Sequence, residues 1–186
     1  GQGAAPGVLK IKDLNGDGVL TAEDKMVLGT YQPKFFGGWN NQVSFKGFDL
    51  TVFMNFSYGG KTYNANKTTL GSRYQVNGNN FLEKFVDSWK YFDDKGNLIS
   101  NWDALAEANK DVKIYTPTYG QPVALSDAVE DASFLRITNL TLGYSLPEKW
   151  LARIKPVSRV RIYATVNNLY TFTNYSGFDP EASTRN

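Results

Sequence analysis

Three stretches of the chain alternate apolar and polar residues with a period of two. Asp49 to Tyr58 reads DLTVFMNFSY: Leu50, Val52, Met54, Phe56 and Tyr58 share one phase, and Thr51, Phe53, Asn55 and Ser57 the other. Successive side chains of an extended strand point to opposite faces, so this pattern predicts a strand with one apolar face. Arg159 to Thr171 repeats it, with Val160, Ile162, Ala164 and Val166 in one phase and Arg161, Tyr163, Thr165 and Asn167 in the other. Ser133 to Leu146 is a third strand, and its phase slips: Leu135 and Ile137 are in one, Leu140, Leu142, Tyr144 and Leu146 in the other. The slip near Thr138–Asn139 points to a β-bulge, or to a strand half outside a membrane. A shorter strand is expected over Trp39 to Lys46, preceded by a turn-rich stretch from Tyr31 to Gly38 and closed by a tight turn at Gly47.

Residues 59–132 contain no comparable strand, and connections are ordinarily about 4–6 residues long. Phe81, Phe85, Trp89 and Phe92 recur at helical spacing, which predicts an amphipathic helix over Asn80 to Tyr91. Asp94 to Asn97 signals a turn, and Trp102 to Ala108 a second short helix. Long inserts between strands usually serve as binding loops or lids. The tail from Asn174 to Asn186 is polar and turn-like.

Two environments satisfy the apolar faces. A soluble β-sandwich buries each against a second sheet. A transmembrane β-barrel turns each toward lipid and lines its lumen with the polar residues. The barrel is favoured by strands of about ten residues, by short turns at one end against a very long connection at the other, and by aromatics near strand ends. Those aromatics are Trp39, Tyr58, Tyr144, Tyr170 and Phe172. In a barrel Arg136 and Arg161 must face the lumen, because a lipid-facing Arg costs about 2–4 kcal/mol at the midplane. Four or five strands cannot close a barrel, whose bacterial forms have at least about eight, so on this reading the chain is a piece of a longer one.

Composition narrows the chemistry. The chain has 186 residues, a formal net charge of +2, no cysteine and no histidine. Disulfides, thiol catalysis, Ser-His-Asp triads and Cys- or His-ligated metals are excluded. The small net charge implies no nucleic-acid partner. Aromatics make up 15% of the residues, mostly Tyr and Phe, a mix suited to β-structure. No apolar run approaches the roughly 20 residues of a membrane helix.

One segment carries metal chemistry. Asp13 to Asp24 reads DLNGDGVLTAED. Calcium takes six to eight oxygen ligands, and an EF-hand-type loop supplies them from positions 1, 3, 5, 7, 9 and 12, with Gly at 6 for the sharp turn. Those positions are Asp13, Asn15, Asp17, the carbonyl of Val19, Thr21 and Asp24, with Gly18 at position 6. Asp24 has a shorter arm than the usual Glu. Thr21 also fits as the N-cap of a short helix from Ala22, with Asp24 as its third-position acid. The plainer alternative is a polar turn rich in Asp, Asn and Gly.

Other clusters read as structural. The neighbours Asp93–Asp94 and Glu130–Asp131 are poorly placed for glycoside hydrolysis, which needs two carboxyls across a sugar. The insert's aromatics, among them Trp89, Tyr91, Trp102 and Tyr115, could stack on sugars or contact a partner, but local packing is their commoner fate. Lys149, Arg153, Lys155, Arg159 and Arg161 fit a turn beside anionic headgroups better than a polyanion site.

Taken in order, the DLNGDGVLTAED loop, LGTYQPKFFGGWNNQVSFKGFDLTVFMNFSYGGKTYN, DASFLRITNLTLGYSLPEKW and VSRVRIYATVNNLYTFTNYSGFDPE are highly specific. Together they resemble the C-terminal part of SusC/RagA-type TonB-linked outer-membrane transporters. The resemblance covers nearly all of residues 1–186, least so residues 60–125. It implies an all-β fold of antiparallel transmembrane barrel strands, with the 13–24 calcium loop and the 59–132 region outside the cell. It implies a complete barrel of about 22 strands with an N-terminal plug and a TonB-contacting segment, neither present in this chain. It implies import of glycan or peptide fragments, driven through TonB, with a SusD-like surface lipoprotein as lid and no enzymatic activity. The alternative is a soluble, secreted, calcium-stabilised β-module that binds carbohydrate or protein.

Overall fold

The computed structural model describes residues 5–71, 73–74, 80–119, 124–152 and 156–181. Its strands are β1 (Phe35–Phe45), β2 (Phe48–Tyr58), β3 (Lys61–Tyr63), β4 (Arg73–Tyr74), β5 (Thr118–Tyr119), β6 (Val129–Asp131), β7 (Phe134–Ser145) and β8 (Arg161–Thr173). The α-helices are α1 (Ala65–Gly71), α2 (Trp102–Ala108) and α3 (Glu148–Leu151). The chain divides into two compact units: Gly29–Tyr63 with Val129–Asn186, and Gly1–Leu28 with Asn64–Ala128.

The first unit is an antiparallel sheet of four long strands in the order β1-β2-β7-β8. β1 and β2 are joined at Lys46 and Gly47, whose φ values of 48° and 88° give the double left-handed turn that matches strand twist in a two-residue hairpin. β1 begins at Phe35, not at Trp39. Gly37 and Gly38 suggest a turn in the sequence, yet in the sheet their missing side chains make room for aromatic rings. A Cβ on Gly37 would lie 3.0 Å from the Phe56 ring, and one on Gly38 3.2 Å from that of Phe53. Aromatic cover of this kind keeps glycine tolerable in a strand.

The phase slip in β7 is a bulge. Phe53 pairs with Asn139 and Met54 with Ile137, so Thr138 is the extra residue. Opposite it on β8 lie Asn168 and Leu169, between Asn167, paired to Asn139, and Tyr170, paired to Ile137; Asn168 takes a φ of 50°. Beyond the long strands, β3 and β6 extend β2 and β7 as a short ribbon through the buried Gly60, whose carbonyl accepts from the Ala132 amide. The turn expected over Pro147 to Ser158 contains α3, with Leu151 buried.

The second unit is irregular and is held by side chains bonding to backbone. α1 follows the buried Asn64, whose side-chain oxygen accepts from the Lys67 amide. α2 coincides with the expected second helix and is capped by Asn101 on the Ala104 amide. The amphipathic helix expected over Asn80 to Tyr91 does not form; a 3-10 turn covers Glu83–Asp87 only. The physical reason lies in the backbone partners. The Trp89 amide donates to the Ile114 carbonyl, Ser88 bridges Ile114, and the Lys90 amide donates to the Asn109 side chain. These tertiary bonds take the groups that a helix would need. Phe85 is still the buried member of the set, packed between Phe81 and Tyr115.

Candidate functional site

The functional feature of the sheet is the contrast between its faces. Residues paired directly across antiparallel strands share a face. On one face the register aligns Phe45, Phe48, Tyr144 and Ile162, then Val43, Leu50, Leu142 and Ala164. The next rungs are Asn41, Val52, Leu140 and Val166, then Trp39, Met54, Ile137 and Tyr170, then Gly37, Phe56, Leu135 and Phe172. Apart from Asn41 and Gly37 the face is apolar across four strands. Aromatics gather at both ends and aliphatics in the middle. At the hairpin end the Phe48 and Tyr144 rings lie 4.5 Å apart, and at the other Phe35 stacks on Tyr58 at 5.0 Å and Tyr170 meets Phe172 at 4.7 Å. Trp39, expected near a strand end, sits inside β1 because that strand starts four residues earlier.

This face is open. Val43, Leu142 and Ile162 are 60%, 52% and 65% exposed. A soluble sandwich would bury such residues, and a contiguous exposed apolar surface of this extent marks contact with a membrane or a partner. The dimensions suit a bilayer. Eleven residues at about 3.4 Å each span roughly 37 Å, and a tilt of about 45° brings that near the ~25 Å apolar band of outer-membrane barrels.

The opposite face is mostly polar and self-paired, with Phe36, Phe53, Phe134 and Tyr163 among its residues. Arg161 makes two parallel hydrogen bonds to the Asp49 carboxylate, at 3.0 and 2.6 Å. The pair reaches from β8 to β2 across β7, and Gly143 makes this possible: a Cβ there would lie 2.6 Å from both partners. Arg136 is only 13% exposed in its side chain. It donates to Thr171 at 3.0 Å, to Asp179 at 2.7 Å and to Glu181 at 2.7 Å, and lies over the Phe134 ring. Between the arginines, Thr141 meets Thr165 at 2.9 Å, Asn139 donates to Asn167 at 2.8 Å, and the bulged Thr138 donates to Asn55. Both strand arginines therefore lie on the polar face, where a lumen requires them. Their carboxylate partners were not singled out in the sequence. Asp49 opens a strand and Asp179 and Glu181 belong to the tail, so no spacing rule joins them to an arginine.

The six proposed calcium-loop residues fall in one exposed loop of the second unit. Asp13 accepts from the amides of Gly16 at 2.6 Å and Gly18 at 2.8 Å, and Gly16 and Gly18 adopt φ values of 77° and 83°. Asn15 accepts from the Asp17 amide and Asp17 from that of Val19. Thr21 caps a 3-10 turn over Ala22–Asp24, and Asp24 completes the capping box. The two Asp24 oxygens accept from Leu14 at 2.8 Å and Thr21 at 2.7 Å; the Thr21 amide first, and the Leu14 amide next, hold this carboxyl below its usual pKa. The donor set is all hard oxygen, which fits calcium in chemistry. Among the described residues, no group of three or more His, Cys, Asp or Glu side chains converges on one point.

The remaining candidates are structural. Asp93 closes the expected turn by accepting from Lys95 and Asn97, and the Asn97 amide holds its pKa down. Glu130 accepts from Ser176, and Asp131 from Ser133. Tyr115 donates to the Gly71 carbonyl and Tyr91 to that of Pro6, whereas Trp102 is 69% exposed. Of the basic cluster, Arg161 is taken up by Asp49, and Arg153 and Lys155 lie outside the described residues.

No family model matches the chain. It is 32% identical over 181 residues to the TonB-dependent receptor P3 of Formosa agariphila, covering 97% of this chain and 16% of that protein. It is 28% identical over 170 residues to the TonB-dependent receptor SusC of Bacteroides thetaiotaomicron, covering 91% of this chain and 15% of that one. Among solved structures, the RagAB peptide importer in its closed-closed state matches with a TM-score of 0.68 and 26% identity over 95% of this chain and 18% of that chain. The open-open state matches with a TM-score of 0.67 and 25% identity over 89% and 16%. The chain thus spans about a sixth of the length of the relatives it matches, and those relatives are receptors and transporters, not enzymes. By sequence and by fold, the chain is similar to a stretch of the SusC/RagA-type TonB-dependent receptors of the outer membrane.

Proposed function

We propose that this chain forms part of the wall of an importer that carries oligosaccharide or peptide fragments across the outer membrane, driven through TonB and served by a SusD-like surface lipoprotein. The observation that carries the reading is the two-faced sheet. Its apolar face suits lipid, and its polar face presents amides, hydroxyls and the Asp49–Arg161 pair to a water-filled lumen. Transport belongs to the whole receptor, to which this chain contributes four strands and their connections. The test is uptake of labelled oligosaccharides and peptides by cells carrying or lacking the receptor gene. Uptake of one class should vanish on deletion, on loss of TonB and on loss of the SusD-like lipoprotein. Uptake indifferent to TonB would overturn the reading.

Calcium belongs to the same proposal. The side-chain oxygens of Asp13, Asn15, Asp17, Thr21 and Asp24 and the Val19 carbonyl would hold the ion, which would stiffen the loop. Extracellular calcium modules work at about 10⁻⁴–10⁻³ M, so a modest site suffices outside a cell. Support comes from the ligand spacing and from the two left-handed glycines that shape the loop. Calcium should protect residues 13–24 of the receptor from protease, and Asp13→Ala or Asp17→Ala should abolish that protection. Equal cleavage in calcium and in EDTA would reduce the segment to a turn.

A further inference from the structure

The apolar face is not evenly filled. At the end away from the Lys46–Gly47 hairpin an open groove of about 570 Å³ runs along β7. Its floor is Leu135 and Ser133. Phe35, Phe56 and Tyr58 wall one side, Tyr170 and Phe172 the other. The register explains the shape. Leu135 pairs with Phe56 on one flank and Phe172 on the other, so a mid-sized residue lies between two large rings. Two residues further out, the floor drops to the small Ser133, while Tyr58 and Asn174 stand beside it. The groove therefore grades from aromatic and aliphatic to hydroxyl and amide as it approaches the strand ends.

At that polar end stands Lys34. Its amide donates to the Tyr58 carbonyl at 2.8 Å, and its aliphatic stem crosses Gly59, where a Cβ would lie 2.8 Å from the Lys34 Cγ. Among the described residues Lys34 makes no ion pair, and it is exposed. An exposed lysine beside an apolar surface can lay its stem along that surface and keep its ammonium in the headgroup layer.

We infer that this groove holds one acyl chain of an anionic, phosphate-bearing lipid of the outer leaflet, laid along β7 with its headgroup against Lys34. Two observations select this occupant. The groove is continuous with the lipid-facing surface, so membrane lipid reaches it without crossing water. Its amphipathic grading and its cation match a chain ending in an anionic head. Aromatic rings at the interface present apolar faces to a chain and polar edges to its head. The placement in the outer leaflet follows from the long 59–132 connection, since outer-membrane barrels keep their long loops outside the cell. The inference rests on the wall reading of this sheet.

The test uses the full receptor in nanodiscs that contain phosphatidylglycerol with a diazirine in its acyl chain. After photolysis, labelled residues are located by peptide mass spectrometry. Label is expected at Ser133–Leu135 and Tyr170–Phe172 in severalfold excess over Val43 and Leu142, which are comparably open to lipid. Leu135→Trp fills the floor and should remove the excess while Val43 and Leu142 still label, which also reports that the variant is folded. Lys34→Glu should lower groove labelling by phosphatidylglycerol and leave that by the phosphatidylcholine analogue unchanged. Even labelling across the face, or an excess that survives Leu135→Trp, would leave only annular lipid and overturn the proposal. An equal effect of Lys34→Glu on both lipids would remove the anionic headgroup and overturn it as stated. Absence of label at Val43 and Leu142 as well would instead sink the wall reading beneath it.

Discussion

The four-stranded sheet and the unit built from residues 5–28 and 64–128 reach order by opposite means. The sheet takes its order from ladder hydrogen bonds over strands of 11 to 13 residues. Its apolar side chains point outward, and among the described apolar residues of its whole unit only Phe134 and, in α3, Leu151 are buried. Among the described residues the other unit has no strand longer than two residues, but it has a small interior of Phe85, Leu105 and Ala128. There Asn64, Asn101, Asn109 and Asp93 satisfy backbone groups that no ladder or long helix reaches. On the proposed wall reading, the difference follows from solvent. A surface that meets lipid needs no apolar interior but must pair every backbone group, and extended ladders do this. A loop in water can leave backbone to solvent and needs side-chain bonds only where the chain turns inward.

The largest expected effect separates the two faces of the sheet. Leu140→Arg places a cation near the middle of the apolar face and should cost the receptor about 2–4 kcal/mol of folding stability in a bilayer. Thr141→Arg, one residue along on the polar face, should cost far less. Denaturant titration of both variants in lipid vesicles measures the gap. Equal losses would mean that the apolar face does not meet lipid.

Next comes the glycine beneath the ion pair. Gly143→Val would drive a branched side chain into the Asp49 and Arg161 groups, and overpacking of this kind costs about 1–3 kcal/mol. If the clash is with that pair, Asp49→Ala combined with Gly143→Val should lose less than the sum of the single losses, because neighbours that share a contact are not additive. Strict additivity would place the strain elsewhere. For the other unit the corresponding lesion is Asn109→Ala. The Asn109 side chain accepts from the Lys90 amide and donates to the Lys90 and Leu105 carbonyls while 97% shielded, its residual exposure being 3%. Its loss strands those groups, at about 1–3 kcal/mol. Hydrogen exchange should rise at Lys90 and along α2 and stay unchanged in β2 and β7. A rise in both would show that the two units do not open independently.

The same contrast governs what could be read from the sequence. Period-two alternation determines which residues share a face, so Leu50 to Tyr58, Ile162 to Val166, the slip at Thr138 and the orientation of Arg136 and Arg161 were legible. The turn at Gly47 and the cap at Thr21 were legible too, because each rests on local chemistry. What was hidden depends on distant partners. Gly37 and Gly38 look like a turn until the rings of Phe56 and Phe53 lie over them. Phe81, Phe85 and Trp89 keep helical spacing, but Ile114 and Asn109 claim the backbone around Trp89. The short β3–β6 ribbon and the carboxylates Asp179 and Glu181 carry no periodic mark, and the polar phase of Asp49 does not reveal Arg161 as its partner.

The smallest effect concerns the calcium loop and tests whether its order is local. Asp24 has a depressed pKa because its carboxylate accepts from the Thr21 amide and, next, from that of Leu14. A group whose folded pKa lies below its unfolded value contributes stability above that unfolded value, near 3.9 for Asp, and loses it as pH falls through the folded pKa. Protection of the Thr21 and Leu14 amides, corrected for intrinsic exchange, should therefore hold from neutral pH down to about 4 and fall below it. Asp24→Asn cannot ionise and should abolish that acid step, leaving the amides weakly protected throughout. Asp93→Asn removes a carboxylate depressed in the same way by Asn97 and should leave the step at Thr21 and Leu14 intact. If Asp24→Asn kept the step, the loop would be ordered by the rest of its unit and not by its own capping box. The side-chain bonding that distinguishes this unit from the sheet would then not extend to its calcium-loop segment.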